Sequence, residues 1–322
     1  MNTRTMKAAA IDRFGGPEHI AVHELAVPSI GPDEVLIKVD TAGVGEWDPW
    51  VRDGEFAAMS GQQPRFPYVL GADGAGTIAL VGERVKQFRP GDVVYGYKPL
   101  SAENGFYAQY AAVKADDVAP LPRGLSLEAA GAMPADAVTA LCGIELLALR
   151  EKENIAVFGA SGGIGHLAVQ LAKRMGARVF AVASGEDGVA LAKKLGADKA
   201  VDGHRDDLAR AAREFAPRGM DAALFTAGGD AAEAVLATLR EGARAAYPHG
   251  VEPAPKGRSD LKIQGYDGRA TPELYARLNA LIEAAPFHVH VASTYPLERA
   301  AEGHRALDKH HLGKVALKVA PS

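Results

Sequence analysis

The sequence predicts an α/β protein in which a doubly wound parallel sheet is inserted into a β-rich, barrel-like domain. Short strand candidates separated by turns fill the first third of the 322 residues, and strand–helix units alternate from about residue 125. A strand-like segment then closes the chain. Because this length corresponds to about two domains, we predict one domain from 1–124 plus 288–322 and a second from 125–287.

Composition excludes several functional classes. Lys and Arg total 36 and Asp and Glu total 40, which gives a net charge of −4 and no electrostatic reason to bind nucleic acid or an anionic membrane. The single cysteine, Cys142, excludes a Cys-rich zinc ribbon and fits a reducing compartment. We therefore expect a cytoplasmic protein with no nucleic-acid or membrane partner.

The first third of the chain is predicted to be β-rich because short apolar runs alternate with Gly-Pro and Pro-Gly turn signals. Many short strands with a turn every ten or so residues are typical of a compact barrel-like domain. The predicted strands are Met6–Ile11, Val35–Val39, Gly76–Val81, Asp92–Tyr95 and Gly105–Ala111.

From Leu125 onwards helices alternate with short apolar strands, which predicts a right-handed parallel sheet with helices on both faces. Pro134 is expected to divide the Ala- and Leu-rich segment Leu127–Arg150 into two helices. The predicted strands are Ile155–Phe158, Arg178–Ala183, Asp221–Phe225, Ala243–Tyr247, His288–Thr294 and Lys314–Val319, and the predicted helices are Gly163–Met175, Asp187–Leu195, Ala231–Arg240 and Leu297–Lys309.

A glycine-rich turn between the strand Ile155–Phe158 and the following helix is the strongest chemical signal. Gly162 and Gly163 would let the backbone approach a pyrophosphate without a Cβ in the way, and Gly165 would let the helix pack closely on the strand. The helix N-terminus adds free N–H groups and the positive end of its dipole. A plain strand–turn–helix that needs only small residues is the alternative. The predicted coenzyme contacts here are Ala160, Ser161, Gly162, Gly163, Ile164 and Gly165.

The end of the second strand of this domain bears on the choice of coenzyme. NAD sites place an Asp or Glu there to accept the ribose 2′-OH. This sequence has Ser184-Gly185 instead, and Glu186 and Asp187 come only afterwards. The missing carboxylate predicts NADPH as the coenzyme, since a repulsive charge is removed and Ser184 is able to bond the 2′-phosphate.

Six segments carry a family resemblance over essentially the whole chain. They are Ala42–Asp48, Val69–Gly76, Pro90–Val93, Gly159–Gly165, Tyr295–Ala300 and Gly313–Val315. In combination they resemble the zinc-independent quinone oxidoreductase branch of the medium-chain dehydrogenase/reductase superfamily. The resemblance implies a chaperonin-cofactor-like (GroES-like) β domain, an inserted Rossmann domain, and a homodimer. The activity it implies is hydride transfer from NADPH to a quinone or an α,β-unsaturated carbonyl.

Zinc enzymes of this superfamily hold the metal with Cys or His side chains, and the corresponding positions here are Gly45, Ala72 and Ala135. None of these offers the S, N or O donor that zinc requires. The polar relay of the zinc alcohol dehydrogenases falls on Trp47 and Trp50. We therefore predict no metal site.

Further departures from the family concern the expected nicotinamide pocket. Quinone reductases often place an Asn and two Tyr side chains there, and the matching positions are Gly45, Trp50 and Phe56. This more apolar pocket leaves the substrate and the proton donor open. The lysine that often binds the 2′-phosphate has no counterpart after Gly185, so Arg205 is the nearest substitute.

Three residues are catalytic candidates. Asp48 is placed beside the substrate, where it would orient it or protonate an enolate; pairing with Arg52 or capping of local backbone is the alternative. Asp136 would donate a proton if burial raises its pKa, and a helix N-cap is the alternative. Trp50 would offer a flat ring as a platform, or would only pack. Thr139, Ala227, Tyr247, His249 and Lys314 are the remaining candidates to border the coenzyme.

Three functions remain open. The first is an NADPH-dependent reductase of quinones or α,β-unsaturated carbonyls. The second is an enoyl-thioester reductase, which would need a basic groove for a CoA or pantetheine phosphate. The third is a coenzyme-binding sensor or structural protein that has lost activity, which the missing Asn and Tyr side chains favour.

Overall fold

The structure, a computed structural model, describes residues 4–320 and divides into two compact units. The first unit contains the residues up to Ala135, Ala270–Glu283, and the residues from Val289 onwards. The second unit contains Asp136–Arg269 and Ala284–His288. The chain thus passes from the first unit to the second and back twice.

Between residues 4 and 320 the chain forms sixteen strands and ten α-helices. The strands are β1 Thr5–Ile11, β2 Ile20–Ala26, β3 Glu34–Val44, β4 Tyr68–Val69, β5 Asp73–Val81, β6 Val93–Tyr97, β7 Tyr110–Lys114, β8 Val118–Pro120, β9 Asn154–Phe158, β10 Arg178–Ala183, β11 Lys199–Asp202, β12 Met220–Phe225, β13 Leu239–Pro248, β14 Lys262–Tyr266, β15 Val291–Pro296 and β16 Lys314–Lys318. The helices are α1 Asp48–Asp53, α2 Glu55–Ser60, α3 Leu127–Ala132, α4 Pro134–Leu146, α5 Gly163–Arg174, α6 Gly185–Lys194, α7 Leu208–Phe215, α8 Asp230–Leu236, α9 Pro272–Glu283 and α10 Ala300–Leu307.

The first unit is organised around the long strand β3. One side of β3 pairs antiparallel with β5, and the other side pairs with β7 over its first half and with β16 over its second half. The strands β1, β2 and β4 form a separate three-stranded sheet. Ile11, Ile37 and Ile78 are fully buried in the apolar core of this unit.

The second unit is a six-stranded parallel sheet with the strand order β11-β10-β9-β12-β13-β14. The chain runs outwards from β9 to β11 on one side and from β12 to β14 on the other, so the direction of winding reverses between β9 and β12. In doubly wound sheets, ligands bind outside the carboxyl ends of the strands at this reversal. The second unit therefore places its candidate site at one sheet edge.

Most predicted elements are present, and the differences have local causes. The chain divides into α3 and α4 around Pro134 as predicted. The predicted helix Ala231–Arg240 ends at Leu236, because Leu239 already pairs with Met220 in the sheet. The predicted strand Gly105–Ala111 is a strand only from Tyr110, since the backbone before it bonds to Val69–Gly71 and to β1 instead.

In the structure, α3 and α9 belong to the first unit, whereas the predicted ranges place both helices in the second domain. The Tyr275 hydroxyl of α9 accepts the backbone N–H of Tyr97 in β6, and Asn279 of α9 accepts the hydroxyl of Tyr95. These bonds tie α9 to the barrel strands. None of the helices among the described residues has the length and apolar character to cross a membrane.

Candidate functional site

The glycine turn after β9 is fixed by its backbone to the end of β10. The N–H groups of Gly159 and Ala160 both donate to the carbonyl oxygen of Val182, at 3.0 and 2.9 Å. Gly159 has a φ of 81°, a left-handed conformation that glycine adopts without strain. This geometry directs the chain out of the sheet and into α5.

Two glycines of the turn have different surroundings. A Cβ at Gly165 would overlap the carbonyl oxygen of Gly159 and lie 2.8 Å from the Cα of Ala160, so only glycine lets α5 pack this closely on the turn. A Cβ at Gly162 would meet only the Gly159 oxygen, at an ordinary 3.5 Å. Gly165 is therefore required by packing, whereas the space in front of Gly162 is open.

The N-terminus of α5 faces this open space. Gly162 is the N-cap residue of α5. The N–H groups of the first turn have no intrahelical partner, as at the start of any helix, and Gly162 offers them no side-chain cap. These groups and the helix dipole favour an anion. Ser161 lies beside them, and its Oγ accepts the backbone N–H of Ser184 at 3.2 Å. The residues present therefore fit the pyrophosphate of a dinucleotide coenzyme.

Ser184, which follows β10, lies next to a histidine from the neighbouring strand. The Ser184 Oγ is 3.2 Å from Nε2 of His204, which follows β11. One carboxylate oxygen of Asp202 accepts the N–H groups of His204 and Gly185, at 3.0 and 3.3 Å. The N–H of His204, more than any other group, holds the pKa of the Asp202 carboxyl below its usual range. Asp202 thus fixes the two turns against each other.

Arg205 forms an ion pair with Glu186 of α6 at 2.8 Å, and both side chains are largely exposed. Its Nε lies 3.9 Å from Asp202. Arg205 therefore lies after the carboxyl end of β11, as predicted for a residue near the coenzyme, but its guanidinium is paired with Glu186.

The remaining predicted coenzyme residues of the second unit lie after β12 and β13 or in α4. Ala227 follows β12, and Tyr247 and His249 lie at the end of β13, where Nδ1 of His249 is 3.0 Å from Asp267. Thr139 lies in α4, and its carbonyl oxygen accepts the Tyr266 hydroxyl at 3.0 Å. The first three lie at or directly after the carboxyl ends of the adjacent strands β12 and β13.

Thr226 also belongs to this edge, and the sequence analysis missed it. Its N–H and its hydroxyl both donate to the carbonyl oxygen of Phe158, at 3.0 and 2.9 Å, which joins β12 to the glycine turn. A Cβ at Gly159 would overlap the Thr226 hydroxyl oxygen. Its position directly after a predicted strand was the available signal.

In the first unit, Asp48 is the first residue of α1 and is almost completely buried. Its Oδ2 accepts the backbone N–H of Gly45 and the hydroxyl of Tyr107, each at 2.9 Å. Burial raises the pKa of Asp48 to about 6, although these two hydrogen bonds and the charges of Lys314 and Arg52 lower it. The bond from Gly45 is the capping of local backbone that was one alternative to a catalytic role for Asp48.

Arg52, on the same helix, forms its ion pair with Asp53 through Nε at 2.8 Å. Its Nη1 lies 3.1 Å from Nδ1 of His304, a residue of α10. Burial, together with the charge of Arg52, lowers the pKa of His304 to about 3. His304 is therefore neutral and accepts at Nδ1. The ring of Tyr107 meets that of His304 edge-on at 5.8 Å.

Asp48, Arg52, Tyr107 and His304 together form a buried polar cluster, a name that we keep for these four residues. Asp48 also lines a cavity of about 20 Å³ with Lys98 and Glu103, which is enough for about one water molecule. Tyr107, His304 and Lys98 were not singled out by the sequence analysis, because they stand far from Asp48 in the chain.

Trp47 covers the first of the three positions at which zinc relatives have a ligand. A Cβ at Gly45 would overlap the indole ring of Trp47, and Nζ of the buried Lys314 lies 5.1 Å from the centre of that ring. The predicted coenzyme residue Lys314 is thus in the first unit, over Trp47. Trp50 is partly exposed on α1.

Asp136 is buried and is the third residue of α4, inside the first helical turn rather than at the N-cap. Near the start of the same helix, Ala135 donates its N–H to Asp73 at 2.7 Å. Over residues 4–320 no group of three or more His, Cys, Asp or Glu side chains is arranged to hold a metal ion.

Two family profiles match the chain. The alcohol dehydrogenase GroES-like domain matches residues 31–123, within the first unit. The zinc-binding dehydrogenase profile matches residues 163–263, within the second unit. The positions Gly45, Ala72 and Ala135 all lie outside the second match.

Full-length relatives give the same assignment. The chain is 31% identical to the quinone oxidoreductase of Lama guanicoe over 318 residues, which cover 94% of each chain. The structure of the quinone oxidoreductase from Coxiella burnetii superposes with a TM-score of 0.86 at 26% identity, covering 98% of this chain and 100% of that one. An NAD-dependent alcohol dehydrogenase superposes with a TM-score of 0.87 at 31% identity and the same coverage. The predicted fold class is confirmed.

Proposed function

Because the chain belongs to the quinone oxidoreductase branch of the medium-chain dehydrogenase/reductase superfamily, we propose that it is an NADPH-dependent, zinc-independent oxidoreductase. The substrate class is a small quinone or α,β-unsaturated carbonyl. Bound NADPH would supply a hydride, and a proton from the protein or from water completes the reduction. The proposal rests on the open space in front of Gly162, which the N-terminus of α5 faces.

The test of coenzyme binding uses this space. Gly162→Ala places a methyl group where the backbone would approach the pyrophosphate, while its nearest protein neighbour stays at 3.5 Å. We expect the fold to be unchanged and the affinity for NADPH, measured by fluorescence titration, to fall about tenfold or more, since overpacking costs about 1–3 kcal/mol.

Gly257→Ala is the matched control. Gly257 is exposed, and a Cβ there would meet only the side chain of Ile263, at 3.6 Å. Its NADPH affinity should equal that of the wild type. Equal affinity in Gly162→Ala as well would mean that the coenzyme does not use the turn.

The preference for NADPH is supported by the end of β10. Ser184 occupies the place of the carboxylate that NAD sites use, and the neighbouring Asp202 is buried against backbone N–H groups. We expect NADPH to bind about tenfold more tightly than NADH, the effect of about one charge-assisted contact. Equal dissociation constants at one ionic strength, or unchanged NADPH binding in Ser184→Asp, would contradict this preference.

Zinc independence is supported by side-chain chemistry. Gly45, Ala72 and Ala135 carry no donor atom, and the Trp47 ring fills the space beside Gly45. The similarity to an alcohol dehydrogenase therefore does not extend to a ligand set at these positions. In zinc alcohol dehydrogenases the metal polarises the alcohol. The reduction of a conjugated double bond or a quinone has no alcohol substrate and does not need that metal.

Asp48 is the proposed proton source of the first unit. Its raised pKa keeps part of the carboxyl population protonated near pH 6, and its cavity gives it room for a water. Asp136 is the alternative candidate for the proton donor. Trp50 is the proposed flat platform for the substrate ring. The coenzyme contacts proposed beyond the turn and Ser184 are Thr139, Arg205, Ala227, Tyr247, His249 and Lys314.

A substrate panel separates the three functions. NADPH oxidation with small quinones or enones supports the reductase, whereas oxidation only with an enoyl-CoA supports the thioester reductase. Tight NADPH binding without turnover on any of them supports the sensor, which the apolar positions Gly45, Trp50 and Phe56 favour. The proposal includes a cytoplasmic location and a homodimer, and light scattering of the purified protein tests the latter.

A further inference from the structure

The second unit contains a cavity of about 370 Å³ at the amino ends of its strands, opposite to the ends that form the proposed coenzyme site. Asn154 and Arg178 are the first residues of β9 and β10, and Asp221 is the second residue of β12. These strands are five or six residues long, and at about 3.3 Å per residue they span roughly 15–20 Å. The cavity is therefore separate from the space in front of Gly162.

Three arginines and one aspartate line this space, which we call the arginine cavity, and they give it a net charge of +2. The Asp221 carboxylate accepts Nε of Arg240 at 2.7 Å and the backbone N–H of Asn154 at 2.8 Å. Burial would raise the pKa of this carboxyl, but these two bonds outweigh burial and hold the pKa below its usual range. Asp221 therefore stays ionised and neutralises Arg240.

The guanidinium groups of Arg178 and Arg218 supply the remaining positive charge. Nη1 of Arg178 donates to the amide oxygen of Asn154 at 3.0 Å, and its guanidinium carbon lies 4.6 Å from the centre of the Phe215 ring. Both partners are neutral, so they hold the arginine in place without cancelling its charge. Arg218 is exposed, and within the described part of the chain it forms neither a hydrogen bond nor an ion pair. Because a guanidinium has five N–H donors, both arginines keep donors for a ligand.

We propose that the arginine cavity binds a small organic phosphate, and that Arg178 and Arg218 hold its phosphate group. A phosphate monoester carries a charge of about −1.5 to −2 at neutral pH, which matches the two guanidiniums. Its three oxygens can accept from two arginines at once, whereas the two oxygens of a carboxylate fit the fork of one arginine. The chemistry of the cavity thus favours a phosphate over a carboxylate.

The size and the walls of the cavity indicate an organic phosphate rather than the free ion. Its volume of about 370 Å³ lies in the range of roughly 300–1,000 Å³ that is typical of small-molecule sites. Phe215 and Pro217 belong to its lining and would contact the organic part. The inference is independent of the proposed function, because no residue of the proposed coenzyme site takes part.

Arg218→Gln gives the sharpest test, since Arg218 has no bond within the described part of the chain to lose. Calorimetry at about pH 8 and constant ionic strength, where phosphates are mostly dianions, measures the binding of inorganic phosphate, phenyl phosphate and acetate. We expect phenyl phosphate to bind most tightly and acetate not measurably. Arg218→Gln should lose about tenfold in affinity for both phosphates, the effect of one charge-assisted contact, and its unliganded thermal midpoint should equal that of the wild type.

Arg213→Gln is the matched control. Arg213 is another exposed arginine, in the last turn of α7, that does not line the cavity. The variant changes the net charge by the same amount and should bind both phosphates like the wild type. An equal loss in Arg213→Gln and Arg218→Gln would mean that phosphate responds only to overall charge, and it would overturn the proposal.

Arg178 is tested separately, because its substitution also removes the bond to Asn154 and the contact with Phe215. Arg178→Gln should lose about tenfold in affinity for both phosphates, and the double variant with Arg218→Gln should bind neither measurably. Urea unfolding establishes that the variant is folded. Unchanged phosphate affinity in the folded variant would overturn the role of Arg178.

The N-terminus of α5 is a second place at which the unit could bind a phosphate, so Gly162→Ala is titrated in parallel. It should bind phenyl phosphate like the wild type. If Gly162→Ala loses phosphate binding and Arg218→Gln keeps it, the anion belongs to the coenzyme site and the arginine cavity is overturned. Acetate binding as tight as that of phosphate, or phenyl phosphate no tighter than inorganic phosphate, would overturn the assigned ligand class.

The same titrations separate this inference from the proposed function. A wild type that binds phosphate through Arg218 but does not bind NADPH overturns only the function. A wild type that binds NADPH but neither phosphate overturns only the arginine cavity. Loss of phosphate binding with unchanged NADPH affinity in Arg218→Gln supports a second, independent site.

Discussion

The buried polar cluster of the first unit and the sheet edge of the second unit use similar side chains in opposite ways. In the cluster, Asp48 and His304 are almost completely buried and hydrogen-bond to protein groups. At the sheet edge, His204 and Glu186 are exposed. Burial has therefore moved the pKa values of Asp48, Tyr107 and His304, whereas His204 and Glu186 stay in solvent, where a ligand replaces water at little cost.

This difference has a consequence for stability. A buried ionisable group whose pKa differs between the folded and unfolded states couples folding to pH. Asp48 and His304 are shifted in opposite directions, upwards and downwards. The cluster therefore contributes two opposing pH dependences to folding, while substitutions at the sheet edge should act mainly on ligand binding.

The largest expected effect is at the sheet edge. Gly165→Leu would force α5 away from the turn, because even a Cβ overlaps the Gly159 carbonyl. We expect a folded protein that no longer binds NADPH measurably and has lost about 1–3 kcal/mol of unfolding free energy. Gly257→Leu, at an exposed glycine of the same unit, is the control. Unchanged NADPH affinity in Gly165→Leu would make the turn a purely structural feature.

This turn was predictable from the sequence because its geometry is local. Gly159 to Gly165 stand together, and their context between a strand and a helix is recognisable in a single segment. The parallel sheet followed from the same alternation of strands and helices. The position of Ser184 at the end of its strand was also predictable, since the strand Arg178–Ala183 has the predicted bounds.

The buried polar cluster was not predictable in the same way. Arg52 and His304 are 252 residues apart in sequence, and Tyr107 is 59 residues from Asp48. No periodicity or motif connects residues at such separations. His204 was missed for a related reason: its contact with Ser184 depends on the pairing of β11 with β10, and only the basic residue beside it, Arg205, was considered.

The next largest effect concerns His304. Its pKa of about 3 in the folded state is below the ordinary 6.5, so the unfolded chain binds a proton that the folded chain does not. Its contribution to stability is complete above pH 6.5 and is lost as the pH falls. Relative to the wild type, His304→Gln should therefore gain about 3 kcal/mol of unfolding free energy between pH 7.5 and 4.5.

Urea unfolding over this pH range measures the difference. Glutamine can still offer an oxygen to Arg52, so the cluster keeps its hydrogen bond. His310→Gln is the matched substitution at an exposed histidine. A constant difference between His304→Gln and the wild type at every pH would mean that the pKa of His304 is the same in the folded and unfolded states.

A smaller effect with the opposite sign is expected at Asp48. Its folded pKa of about 6 lies above the ordinary 3.8, so its contribution to stability is complete below about pH 4 and is lost as the pH rises through 6. Asp48→Asn keeps an oxygen for Gly45 and Tyr107 but does not ionise. Relative to the wild type it should gain about 2 kcal/mol between pH 4.5 and 7.5. If the difference does not change with pH, Asp48 is already ionised throughout.

The smallest expected effect, none at all, is the response of the first unit to a chelator. Gly45, Ala72 and Ala135 offer no donor to zinc, and the ring of Trp47 lies where a side chain at position 45 would begin. Dialysis against EDTA should therefore leave the NADPH-dependent activity and the thermal midpoint unchanged, while a zinc-dependent alcohol dehydrogenase treated in parallel loses activity. Because lost activity alone would not locate a metal, elemental analysis accompanies the assay. About one tightly held zinc per chain would overturn the expectation and would require ligands other than these three positions.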